Sequence, residues 1–82
     1  FRVMPGKKID DRSELSKKFG AKLAVLREKK GYTSEELGLK VGMHKQAISR
    51  LENGWASPSL DTVNKLCEAL GIKLARFFKD FK

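Results

Sequence analysis

The chain is poor in the residues that small secreted proteins and metal sites depend on. It has a single cysteine, Cys67, and a single histidine, His44. One thiol excludes an intrachain disulfide framework. One His and one Cys on different expected helices fall short of the three or four ligands that zinc takes, so no metal is expected. No apolar run approaches the roughly 18 residues of a membrane-spanning helix, and no signal-peptide pattern opens the chain. No P-loop or dinucleotide-binding glycine pattern is present. Asp10 with Asp11, and Glu35 with Glu36, are sequence neighbours rather than carboxylates facing each other across a cleft. No Ser or Cys has a plausible base partner. Neither an enzyme nor a cofactor is expected, and membrane association is not expected.

What the sequence does have is positive charge. Its 82 residues carry 18 Lys and Arg against 10 Asp and Glu, a formal net charge of +8 and a pI near 9.9. That balance suits a protein that neutralises phosphates, although acidic partners and anionic lipid would also suit it. The charge is spread through the segments and is not concentrated in one polybasic tail. With 40% hydrophobic residues the composition is that of a globular protein. A chain of this length buries only about 60% of its unfolded surface, so one domain with well-capped helices is expected.

Residues 1–12, with Pro5 and Gly6 and no periodicity, read as a flexible arm, and residues 13–82 as the domain. In the arm, Lys7 and Lys8 read as solvated or as backbone contacts to a duplex. Ser13 opens a first helix over residues 13–30, with Leu15, Phe19, Leu23 and Leu26 as one apolar stripe and Gly31 as its end. Thr33 and Glu36 have the spacing of a capping box and start a second helix, with Leu37 and Val41 inward and Gly42 as the stop. A third helix spans residues 44–53, with Ala47, Ile48 and Leu51 inward; Asn53-Gly54 ends it and Pro58 marks the following loop. Ser59 caps a fourth, whose inner stripe is Leu60, Val63, Leu66, Cys67 and Leu70, closed by Gly71. There Cys67 reads as a small buried apolar residue. Residues 72–82 make a short fifth helix. No segment alternates as a half-buried strand would, so the fold class is all-α: a compact five-helix domain.

Two short helices joined at Gly42 have the form of a helix-turn-helix over residues 34–53. For such helices to cross closely the position of Gly38 must be small, and Ile48 and Leu51 then pin the second helix to the core. In a helix-turn-helix the first helix anchors on phosphate and the second lies in the major groove. Beyond this motif, residues 19–78 resemble the lambda-repressor/Cro-like family, the XRE-type regulators. The likeness rests on Leu26-Arg27-Glu28-Lys29-Lys30-Gly31-Tyr32-Thr33, Glu35-Glu36-Leu37, Gly42, Ile48-Ser49-Arg50-Leu51-Glu52-Asn53-Gly54, Pro58-Ser59-Leu60 and Ala69-Leu70-Gly71.

The resemblance implies a lambda-repressor-like DNA-binding domain and a transcriptional regulator, a repressor or autoregulator of bacterial or phage type, cytoplasmic and nucleoid-associated. It implies that His44, Lys45, Gln46, Ser49 and Arg50 face base edges; Gln suits adenine, and Arg or Lys suits guanine. It implies phosphate contacts from Ser34, Asn53, Trp55 and Ser57. Ser34 stands where the family usually has a longer Gln. Trp55 stands where Lys or Arg is commoner; its indole N–H can donate to a phosphate, or its ring can simply pack on the loop. Arg27 and Glu52 match the family's ion pair between the first and third helices. Gly38 replaces a commoner alanine at a cost of roughly 1 kcal/mol, and His44 replaces the usual Ser or Thr cap. Double-stranded DNA is the expected partner, bound at a palindromic operator by a homodimer whose interface includes Leu74, Phe77, Phe78 and Phe81; the plainer reading keeps Leu74 and Phe77 in the core and leaves Phe78 or Phe81 outside. The rival expectation is a protein-interaction module, an antitoxin or coactivator-like bridge, with a toxin or polymerase as partner.

Overall fold

A computed structural model describes residues 12–79 and residue 81. Five helices follow one another among them: α1 Glu14–Lys29, α2 Ser34–Val41, α3 Lys45–Glu52, α4 Leu60–Leu70 and α5 Leu74–Phe77. The arm expected before residue 12 lies outside the described residues, apart from Arg12 itself.

The first four helices begin where side-chain chemistry satisfies free N–H groups, whereas α5 starts at Lys73 with no side-chain cap. The hydroxyl of Ser13 accepts from the amide of Ser16, and that of Ser59 from the amide of Thr62. At α2 the box is reciprocal: the Glu36 amide donates to Thr33 Oγ1 at 3.0 Å and the Thr33 amide donates to Glu36 Oε1 at 2.8 Å. Gly42 ends α2 at φ +73°, a left-handed conformation in which an L side chain is strained. His44 does cap α3, through Nδ1 accepting from the Gln46 amide, but at 3.4 Å the bond is long. The shorter hydroxyl caps at α1, α2 and α4 hold their first turns more firmly.

The core gathers Phe19 and Leu23 of α1, Leu37 and Val41 of α2, Ile48 and Leu51 of α3, Val63, Leu66, Cys67 and Leu70 of α4, and Phe77 of α5. Each such side chain contributes about 1.5–3 kcal/mol of transfer free energy when fully buried. No helix of the described residues is long and apolar enough to cross a membrane. Cys67 is buried, as expected, and burial pushes its thiol above the ordinary range.

Two apolar positions depart from the expected stripes. Leu15 is 61% exposed and Leu60 is 82% exposed. On α1 the cause is a glycine. A Cβ added to Gly20 would lie 2.2 Å from the carbonyl oxygen of Leu51, so the backbone of α3 rests directly on α1 at that point. The buried arc of α1 is therefore centred between Phe19, Leu23 and Gly20, and Leu15 falls at its edge. Leu60 is the first residue of α4, where no neighbouring helix covers it. The fifth helix is also shorter than expected, ending at Phe77.

Candidate nucleic-acid interface

The orientation of α3 is set from three sides. Its anchors Ile48 and Leu51 are 0% and 3% exposed. Toward α2 the turn into α3 is tight at Gly38, where an added Cβ would lie 2.3 Å from the carbonyl oxygen of Met43. The small residue expected there is thus required to be glycine; even the methyl of alanine would push against backbone, and the propensity cost of an interior glycine is the lesser one. Toward α1 the crossing is tight at Gly20, a position that periodicity alone passes over. The available signal was a glycine inside an otherwise well-formed helix, which usually marks a close approach.

A third constraint is ionic. The Arg27 guanidinium forks onto Glu52: Nε donates to Oε2, and the NH2 group donates to Oε1 at 3.2 Å. Its NH1 group donates to the carbonyl oxygen of Tyr32 at 2.8 Å. The two charged side chains are only 14% and 11% exposed. The hydrogen bonds that Arg27 donates to Glu52 hold its guanidinium above the ordinary range, against the opposing effect of burial, with the charges of Glu52 and Glu28 adding to the rise. The pair ties the last residue of α3 to α1, as the family resemblance implied.

With the inner face fixed, the opposite face is left to solvent. Lys45, Gln46, Ser49 and Arg50 are all exposed and share one arc of α3, and His44 is exposed at its start. At 100° per residue these four positions cover about 140° of the helix. Arg50 is not idle: its NH2 group donates to the carbonyl oxygen of Trp55 at 3.3 Å, so it leans toward the loop after α3. Ser34 is half-buried at the first position of α2.

The loop after α3 is more tightly organised than its composition suggests. The Asn53 amide group donates to the Ser49 carbonyl at 2.9 Å, closing α3 with its own side chain. The hydroxyls of Ser57 and Ser16 are 3.3 Å apart, linking the loop to the first turn of α1. Trp55 is 50% exposed. The guanidinium carbon of Arg12 lies 4.5 Å above its ring centroid, and Arg12 NH1 donates to the Asn53 carbonyl at 2.9 Å. Arg12 was expected in a flexible arm; no periodicity or motif in its neighbourhood signals this contact.

The four C-terminal residues expected at an interface between copies divide sharply. Phe77 is 0% exposed, with its ring 5.1 Å from that of Phe19, so it is a core residue of this chain and cannot face a partner. The expectation failed because a four-residue helix buries one side wholly. Phe78 and Phe81 pack on Phe77 at 5.1 and 6.0 Å between centroids and remain partly exposed. Leu74 is 41% exposed.

Comparison with known proteins agrees with this geometry. The helix-turn-helix family matches residues 23–77. An HTH-type transcriptional regulator of Sinorhizobium fredii, y4dJ, is 37% identical over 59 residues, spanning 72% of this chain and 77% of that one. The cryptic phage CTXphi transcriptional repressor RstR of Vibrio cholerae is 32% identical over 62 residues, 76% of this chain and 56% of the repressor. Among solved structures, the restriction-modification controller protein C.AhdI from Aeromonas hydrophila superimposes with a TM-score of 0.77 at 32% identity, covering 80% of this chain and 100% of the controller. The chain belongs to the helix-turn-helix family of XRE type. It is a DNA-binding transcriptional regulator, and the family is not one of enzymes.

Proposed function

We propose that the chain reads a palindromic operator as a homodimer, with α3 in the major groove of each half-site. The observation that carries this reading is the exposed arc Lys45, Gln46, Ser49 and Arg50 on a helix whose opposite face is locked by Ile48, Leu51 and the Arg27–Glu52 pair. Nothing in the core needs those four side chains, and their chemistry is that of base-edge recognition. Gln46 can pair bidentately with adenine, and Lys45 or Arg50 with guanine O6 and N7. His44 begins the same face. Ser34, Asn53, Trp55 and Ser57 flank it and offer donors to phosphates on either side; Asn53 does so through whatever its helix-closing bond leaves free.

Two recognition helices must stand about 34 Å apart to meet successive half-sites. Leu74, with the exposed edges of Phe78 and Phe81, supports a pairing surface at the C-terminal end, without Phe77. Sizing at micromolar concentration tests the pairing. A dimer that Leu74→Asp converts to monomer supports this surface, and a dimer indifferent to that change refutes it.

The reading as a whole is tested by selection from random duplex DNA at about 150 mM salt, a concentration that weakens purely electrostatic capture. An enriched inverted repeat supports dimeric, sequence-specific recognition. Absence of enrichment, with binding lost at this salt, contradicts it.

A further inference from the structure

We propose that Arg12 is a positioning residue of the DNA interface, acting through Trp55 on the loop that follows α3. The inference rests on the reading that this loop meets the sugar-phosphate backbone, and adds a residue outside the helix-turn-helix to it. Two contacts of one guanidinium converge there: the face of the Trp55 ring at 4.5 Å and the Asn53 carbonyl at 2.9 Å. From the other side the Arg50 NH2 group donates to the Trp55 carbonyl at 3.3 Å. The segment between the end of α3 and Trp55 is thus held between two cations, one on the recognition face and one from before α1. Gly54 is buried at the centre of this arrangement, with an added Cβ falling 3.0 Å from Lys17 Cγ. The loop therefore has a defined seat against α1, and Arg12 closes it.

A cation over an indole face fixes the plane of the ring and hence the direction of its N–H. With the plane fixed, Trp55 meets a phosphate without first losing rotamer freedom, which favours binding by preorganisation. Removal of Arg12 then lowers affinity without removing a phosphate contact. That separates positioning from a direct role, because each phosphate neutralised by a side chain adds to the salt dependence of binding.

Trp55 is the sole tryptophan of the chain, so its emission reports this contact directly. The experiment measures emission and acrylamide quenching of the free protein, then affinity for a selected duplex over a range of salt. It compares the parent chain with Arg12→Ala, Arg12→Lys, Trp55→Ala and the Arg12→Ala, Trp55→Ala pair. Expected for Arg12→Ala are a changed emission, easier quenching, and a loss of affinity of about 5-fold with an unchanged salt slope. Arg12→Lys recovers part of both readouts, since the cation returns without the fork. In the Trp55→Ala background, Arg12→Ala costs nothing further. A salt slope reduced by about 0.9 would make Arg12 a phosphate contact and overturn the proposal. So would unaltered emission, or losses that simply add. A parent chain that binds no duplex overturns the DNA reading and this role together, and it is distinguished by an emission change that persists in the free protein.

Discussion

On its inner side α3 is pressed against α1 at Gly20, and the turn leading into it is pressed against α2 at Gly38, so closely that neither glycine has room for a methyl group. On its outer side Lys45, Gln46, Ser49 and Arg50 stand in solvent, and of these Arg50 and Ser49 reach only the loop that follows. The contrast assigns different physics to the two faces. The inner face sets where the helix points, through burial and backbone contact that leave little choice of residue. The outer face carries chemistry that folding does not require, so its residues are free to be chosen for what they recognise. Changes on the inner face should cost stability first and recognition as a consequence; changes on the outer face should alter recognition with the melting temperature unmoved.

The largest effect expected is from Ile48→Ala, which leaves a cavity under α3 at a site with no exposure. A loss of 2–5 kcal/mol is expected, read as a fall in Tm of roughly 10–30 °C in thermal unfolding followed by circular dichroism. A variant melting like the parent would show that α3 is not held by its core face. Next comes Glu52→Ala, which strands the Arg27 guanidinium in a site nearly closed to water. About 3 kcal/mol is expected, and the double change Arg27→Met with Glu52→Leu should recover most of it, because a matched apolar pair leaves no charge unpartnered. Failure of the double change to recover stability would give the pair a role beyond charge matching.

Gln46→Ala crosses to the outer face. Its expected signature is a loss of 1–3 kcal/mol of discrimination at one base pair of each half-site, with Tm unchanged, measured by competition between matched and mismatched duplexes. A parallel loss on every duplex would reduce Gln46 to a general contact.

The smallest effect concerns Cys67, whose burial raises its thiol above the ordinary range. The unfolded chain ionises this thiol from about pH 8.5 upward while the folded chain keeps it neutral. This contribution to stability is whole below that pH and is lost as pH rises toward the folded value. At pH 9 a thiol reagent should label the native chain far more slowly than the denatured one. Equal rates would mean that α4 opens freely.

Much of this organisation was legible in the order of residues. Thr33 with Glu36, Ser13, Ser59 and Gly42 announce helix boundaries because capping and left-handed termination depend on a few adjacent residues. The outer arc of α3 was legible for the same reason, since it follows from periodicity once Ile48 and Leu51 are taken as anchors. What escaped depends on contacts distant in sequence. The packing of Gly20 on the Leu51 carbonyl turns the buried arc of α1 away from Leu15, and no local pattern encodes it. Arg12 meets Asn53 across 41 positions. Phe77 disappears into the core because Phe19 lies opposite it, a contact distant in sequence that decides between the two readings the aromatic run left open.

The most direct test of the division between the two faces is the base preference of Arg50→Ala, measured by duplex selection beside the parent chain and Lys18→Ala, with melting temperatures taken on the same preparations. The account predicts that Arg50→Ala keeps its Tm and loses preference at one position in each half-site, while Lys18→Ala keeps both its Tm and the parent's preferences. An Arg50→Ala chain that retains the parent's affinity and preferences would contradict the assignment of this face of α3 to reading DNA.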